Sequence, residues 1–280
     1  MTDIVAIGGS STMNICHRKV ELYDMTTRTW SRLPDMRMGR GACPGAVVVQ
    51  RTHGPRIYVF GGRNTATRLD SCEFLDVGDG QWNLIESTMN TPRSGTCAVL
   101  LDHDTVVTCG GFTPNNPIVT ASCERFDLTS HTFSSFPSMI LPRACHAGVH
   151  YNGTVVVMGG YGDIEENRIC EQFDPGSLKW IPFAPLNFDR TGIRAAVIEG
   201  AIYVLGDNTN IEVYDGSAWK IVPQAIPYQA YSYDVACHGN ILTIGEINGW
   251  IYMYDTSIQQ LNVIPDQIPD NRYRVATVSF

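Results

Sequence analysis

The sequence predicts an all-β fold, a propeller of six blades with four antiparallel strands in each, on three observations. A motif of two apolar residues and Gly-Gly, then Glu-x-x-Asp, then an aromatic residue recurs six times along 280 residues. Its period is near 50 residues and the apolar runs within it are short, which is the spacing of propeller blades. A composition of 44% hydrophobic residues with 26 Gly and 15 Pro suits many short strands joined by tight turns.

The paired glycines fall at Gly8-Gly9, Gly61-Gly62, Gly110-Gly111 and Gly159-Gly160, and decay to Gly206-Asp207 and Gly245-Glu246. Glu21/Asp24/Trp30, Glu73/Asp76/Trp82, Glu124/Asp127/Phe133 and Glu171/Asp174/Trp180 each place the aromatic six residues after the Asp. Glu212/Asp215/Trp219 is two residues tighter, and Tyr252/Asp255/Leu261 is a degenerate copy. Alternation and turn signals divide each period into strands a to d. In the second period these span 43–49, 56–60, 72–76 and 81–85. Asn152-Gly153 and His238-Gly239-Asn240 read as a-to-b hairpin turns, where Asn and Gly supply positive φ. The sequon at Asn152 is therefore expected to be a turn and not a glycan site. The chain starts on a b strand and ends, over 274–280, on the pattern of an a strand. That last strand is expected to close the first blade, making 1–280 one domain. It reads as a propeller cut from a longer protein, or as a complete minimal one.

No apolar run reaches 18 residues and no leader precedes the first strand at Ile4, so no membrane segment or signal peptide is expected. The nine cysteines lack C-x-x-C spacing, which points away from a disulfide framework or a zinc site and toward a cytoplasmic protein. Cys72, Cys123 and Cys170 stand just before the repeat Glu, where other copies carry Val20 and Ile211, and are expected to be buried apolar side chains. A net charge of −8 argues against nucleic acid as a partner. Neither a cofactor nor a metal is expected.

The Gly-Gly pair, the Glu-x-x-Asp segment, the aromatic and the recurrent Arg40, Arg93, Arg143 and Arg190 together resemble the Kelch repeat. The resemblance covers essentially the whole chain, and departs from the pattern at Asp207, Glu246 and Leu261. The chain is similar to the Kelch domains of BTB-Kelch ubiquitin-ligase adaptors, in which positions just after the glycines and just after the repeat Arg line a peptide pocket. The resemblance thus implies Ser10, Arg63, Phe112, Tyr161, Ser94 and Thr191 as binding residues.

Meander topology puts the d-to-a and b-to-c connections on one face, and the a-to-b and c-to-d connections on the other. The stretch from the Gly pair to the repeat Asp spans 15, 14, 16 and 14 residues in blades one to four, but 8 and 9 in blades five and six. The first face therefore has a low sector, and function is expected on its loops. Opposite, residues 50–55 with Arg51 and His53 read as a variable surface loop. The four repeat arginines are expected to support the blades by bonding carbonyls or an acid. His146, Arg194, Asp234 and Arg274 form a polar set on the innermost strands that would attract a carboxylate, or in which Arg194 and Asp234 neutralise each other.

The leading expectation is a monomeric module that captures a peptide or protein segment, with an acidic one favoured by Arg63, Arg194 and Arg274. The resemblance adds a role as the substrate-recognition part of a ubiquitin-ligase adaptor. A sialic-acid mutarotase, with His146 or Asp234 as acid/base and Arg194 as clamp, is the enzyme alternative. A cytoskeletal, actin-binding scaffold is the third. Neither a G-x-S-x-G elbow, an H-E-x-x-H helix nor a P-loop occurs.

Overall fold

The computed structural model describes residues 3–11, 15–114, 118–162, 167–222, 234–238, 241–245, 250–267 and 276–279, with the backbone alone at 234–238, 241–245, 250–251, 264–267 and 277. The protein is an all-β propeller. Among the described residues the strands form four-stranded antiparallel sheets, most of them running a-b-c-d in chain order.

The second sheet comprises β4 (Gly45–Arg51), β5 (Gly54–Phe60), β6 (Cys72–Asp76) and β7 (Trp82–Leu84). The third comprises β8 (Cys97–Asp102), β9 (Thr105–Cys109), β10 (Cys123–Asp127) and β11 (Thr132–Phe136). The fourth comprises β12 (Ala147–Tyr151), β13 (Thr154–Met158), β14 (Cys170–Asp174) and β15 (Lys179–Phe183). Then follow β16 (Arg194–Ile198), β17 (Ala201–Gly206), β18 (Asn208–Tyr214) and β19 (Trp219–Val222), and after them β20 (Asp234–His238), β21 (Ile241–Gly245), β22 (Trp250–Asp255) and β23 (Gln260–Gln267). The remaining sheet joins the two ends of the chain in the order β24-β1-β2-β3, with β1 at Ile4–Ile7, β2 at Val20–Asp24, β3 at Thr29–Leu33 and β24 at Ala276–Ser279. Ile4 pairs with Ser279 and Ile7 with Ala276. The a strands touch in succession: β24 against β4, then β8, β12, β16, β20 and back to β24.

Burial follows strand position. The b strands are mostly apolar on both faces and buried throughout the runs Ile4–Ile7, Ile57–Phe60, Thr105–Cys109 and Val155–Met158. The outer d strands are largely exposed. Each core lies between successive sheets; Val5, Ile7 and Val20 of the first pack with Ile57, Val59, Leu75 and Trp82 of the second. This face-to-face packing is why the b strands read as unbroken apolar runs rather than alternating ones. Cys72, Cys123 and Cys170 are buried free thiols, and burial pushes the Cys72 and Cys170 thiols up to about 12.

The repeat motif has a physical cause. The repeat Arg is fully buried in each of the four copies that carry it: Arg40, Arg93, Arg143 and Arg190. Arg143 Nη1 donates to the carbonyls of Gly159 and Ile169, while Nε and Nη2 meet Glu171 Oε1 at 3.1 and 2.9 Å. Glu171 also accepts the backbone N–H groups of Ile140 and Leu141, so Arg and Glu together pin the d-to-a loop to the blade. Arg40–Glu73, Arg93–Glu124 and Arg190–Glu212 repeat this arrangement. The repeat Trp adds a third tie, its indole N–H donating 2.8 Å bonds from Trp82 to Pro34, Trp180 to Pro137 and Trp219 to Ala184.

One expectation is corrected. Residues 50–55 are not a variable loop but the end of a longer hairpin, in which Gln50 pairs with Pro55 and Arg51 with Gly54, leaving Thr52-His53 as the tip. Continuous ladder bonding outweighed the polar composition that suggested a loop. Asn152 (φ 48°) and Gly153 (φ 80°) form the expected hairpin turn. The turn at 239–240, the sector loop at 246–249, Arg274 and the Asp234 side chain lie outside the described residues.

Candidate functional site

On the face of the d-to-a and b-to-c connections, short two-residue bridges extend blades two to four. Gly41 pairs with Arg63, Ser94 with Phe112 and Ala144 with Tyr161. Each pair joins the residue after a repeat Arg to the residue after a Gly pair. Their reciprocal N–H···O bonds run from 2.6 to 3.1 Å. In blade five the second Gly is Asp207, held at φ 64°. Its carboxylate accepts both the backbone N–H (2.9 Å) and the hydroxyl (3.1 Å) of Thr191, replacing the backbone bridge with a side-chain one. The b-to-c connection there shrinks to Asp207 alone between β17 and β18.

The bridges sort the expected binding residues by depth. Ser94 is 2% exposed and Ser10 6%; both lie beneath the surface, and Ser10 bridges to Cys16. Thr191 is half-buried with its hydroxyl held by Asp207. Arg63 and Tyr161 are exposed and Phe112 half-buried. These last three form a continuous surface across blades two to four.

Arg68, which no repeat position marks, completes this surface. It bridges to Arg63 across the b-to-c loop, and its guanidinium lies 5.7 Å from the Phe112 ring centre, within cation–π range. Burial, then the neighbouring Arg63 charge, holds its pKa below the usual arginine value. Arg68 Nε is buried without a hydrogen-bond partner. Among the described residues no carboxylate pairs with Arg63 or Arg68. Phe112 and Tyr161 ring centres stand 5.8 Å apart, tilted by 36°, and Ile118, next in sequence to the Val119 that bridges to Phe112, is 59% exposed. Two adjacent cations lacking a counter-charge, flanked by rings, can grip a carboxylate while the rings cover an apolar neighbour.

The chain belongs to the KLHDC2/KLHL20/DRC7 Kelch-repeats domain family, whose model matches residues 2–215. The chain is similar to spermatocyte protein spe-26 of Caenorhabditis elegans, 26% identical over 68% of this chain and 34% of that protein. It is also similar to mouse Kelch-like protein 15, 24% identical over 67% and 33%, and to human Kelch-like protein 23, 25% identical over 85% and 43%. The Kelch chain spans between about a third and under half the length of these relatives. Among its described residues no helix is long and apolar enough to cross a membrane.

Elsewhere, His146 and Arg194 border one cavity of about 120 Å³ between the a strands. They differ in register, since Arg194 pairs with Leu205 as Ala147 pairs with Met158; His146 therefore precedes the strand and Arg194 opens it. Arg194 donates to the Ile193 carbonyl at 2.9 Å.

Proposed function

We propose that this Kelch propeller is a protein-recognition module that captures an acidic peptide or protein segment on its d-to-a and b-to-c face. Arg63 and Arg68 would take a carboxylate, and Phe112, Tyr161 and Ile118 an adjoining apolar side chain; Ser10, Ser94 and Thr191 support the loops from below. The observation that carries this reading is the pair of adjacent arginines without a carboxylate, set against an exposed aromatic surface. Arg194 and His146, with Asp234 and Arg274, would extend carboxylate binding toward the centre. We infer further that 1–280 is one domain, a ring of six blades closed by β24, and that the module acts as a monomer in the cytoplasm. The Kelch-like relatives support the role of a substrate-recognition part within a longer ubiquitin-ligase adaptor, and binding rather than catalysis as the work of this fold.

Selection of a random peptide library on the protein tests the reading. Asp and Glu should be enriched beside an apolar residue, and an Arg63→Ala/Arg68→Ala variant should lose that enrichment while melting within a few degrees of wild type. Peptides without acidic bias, or equal capture by the variant, would overturn it.

A further inference from the structure

The third blade holds a row of three thiols. Cys97 on β8 stands directly opposite Cys109 on β9, which stands directly opposite Cys123 on β10. Opposed residues of an antiparallel pair have Cα atoms about 4.5–5.5 Å apart, inside the range a disulfide spans. All three are free thiols. Against the row lies His146 of the next blade, 2% exposed, with neither ring nitrogen hydrogen-bonded at ordinary distance among the described residues. An imidazole buried with both nitrogens unsatisfied costs free energy, and such a group calls for an explanation.

The members of the row differ in surroundings. Cys97 and His146 both border the central cavity of about 120 Å³, which is also lined by Thr96 and Arg194. By that measure one water needs only ~10–15 Å³, so the cavity admits a molecule of a few heavy atoms. Cys97 keeps 8% exposure while Cys109 has none. The Cys123 thiol faces the Ala121 carbonyl at 3.7 Å. The Cys109 thiol, then the His146 charge and a weak imidazole–thiol interaction, hold Cys97 well below the ordinary thiol pKa, whereas burial first, then the thiols on either side, pushes Cys109 well above it. The two opposed cysteines thus differ in acidity, Cys97 being the more acidic and Cys109 the less. Among the described residues no group of three or more His, Cys, Asp or Glu is placed to hold a metal ion.

We propose that Cys97 and Cys109 form a hydroperoxide-reactive dithiol opening on the central cavity, with Cys97 as the nucleophile, Cys109 as the resolving thiol and His146 as proton carrier. The Cys97 proton passes to His146, and the thiolate attacks the terminal oxygen of the hydroperoxide, breaking the O–O bond. Cys97 becomes a sulfenic acid, and the departing alkoxide or hydroxide takes the proton from His146. Cys109 then gives its proton to the imidazole and attacks the Cys97 sulfur, forming the S–S bond and expelling hydroxide, which leaves as water. Two thiols lose two electrons, and the hydroperoxide is reduced to an alcohol or water and one further water. The thiolate is the reacting species, so an imidazole beside Cys97 sets the rate.

Hydrogen peroxide added to the folded protein, followed by alkylation and mass spectrometry without reduction, tests this. Cleavage at Asp102 and Phe112 separates the three cysteines. The expected product is a Cys97–Cys109 linked peptide pair lighter by two hydrogens. In Cys109→Ser, dimedone should instead label Cys97. His146→Gln should slow the wild-type reaction about threefold or more at neutral pH, the loss of thiolate being offset in part by the greater nucleophilicity of a more basic thiolate. The proposal is overturned if Cys97 and Cys109 stay reduced while the less buried Cys16, Cys43 or Cys145 oxidise, if the linkage maps to Cys109–Cys123, or if His146→Gln reacts as fast as wild type. The linkage in wild type decides the matter even where a variant does not fold.

Discussion

Buried guanidinium groups are costly, by several kcal/mol for each ion before compensation, and among the described residues four are kept because each meets a carboxylate and a pair of carbonyls or their equivalent. The same economy appears at His131, where a ring is partly buried between blades. Its Nε2 lies 3.2 Å from the Tyr58 hydroxyl, and its ring stacks on Phe126 at 5.8 Å. Burial first, then the charges of Arg56 and Arg51, holds its pKa below the ordinary 6.5. The folded protein therefore binds this proton less readily than the unfolded chain. The stabilising contribution of neutral His131 is present above about pH 6.5 and is lost as pH falls through the folded pKa. His131→Asn removes the titration and tolerates the positive φ of 56° at that site. Urea unfolding at about pH 7 and about pH 5 should show a smaller loss of midpoint for the variant than for wild type. Equal losses would show that His131 is not linked to stability.

At the scale of the strand and its turn, the Gly pair lets one blade's backbone approach the next. A Cβ placed at Gly61 (φ +60°) would lie 2.5 Å from the Arg93 carbonyl oxygen. Gly80 has a similar φ of +75° but open space around it. Gly80→Ala should cost only the left-handed backbone strain, ~1–2 kcal/mol, and Gly61→Ala distinctly more, because the clash is with backbone that the buried Arg93 fixes. Chemical denaturation of both variants checks the order; equal costs would remove the close-approach explanation. This coupling explains what could be read from the sequence. The c strands at Cys72–Asp76, Cys123–Asp127 and Cys170–Asp174 coincide with the Glu-x-x-Asp motif because that Glu and that Asp are fixed by their own bonds, to the Arg in one case and to the following turn in the other. In the second blade the a, b and d strands differ from the expected bounds by one or two residues, because the Glu and Asp bonds fix only the c strand at both ends. Arg68 escaped because it joins the site through a bridge across a loop, at a position that no repeat marks. The depth of Ser94 escaped because its neighbour Phe112 is brought over it by a backbone pair whose partners are distant in sequence.

At the scale of the whole molecule, one sheet holds strands from the beginning and the end of the chain. β24 places Ala276 and Val278 in the core shared with Val5, Ile7, Ile57 and Val59, and pairs all four residues of β1. It also touches β4 on one side and β20 on the other. Removing 276–280 would strip one ladder from β1, leave a buried strand with an unpaired edge and uncover apolar surface at the centre. An exposed flat edge invites pairing with another chain, so the truncated protein should melt at lower temperature, scatter X-rays with a larger radius of gyration and associate as its concentration rises. The chain 1–280 under the same conditions should stay compact and monomeric. A truncated chain with unchanged radius and melting temperature would mean that β24 is an ornament on a stable open sheet, and that the ring is held by the inter-blade cores alone.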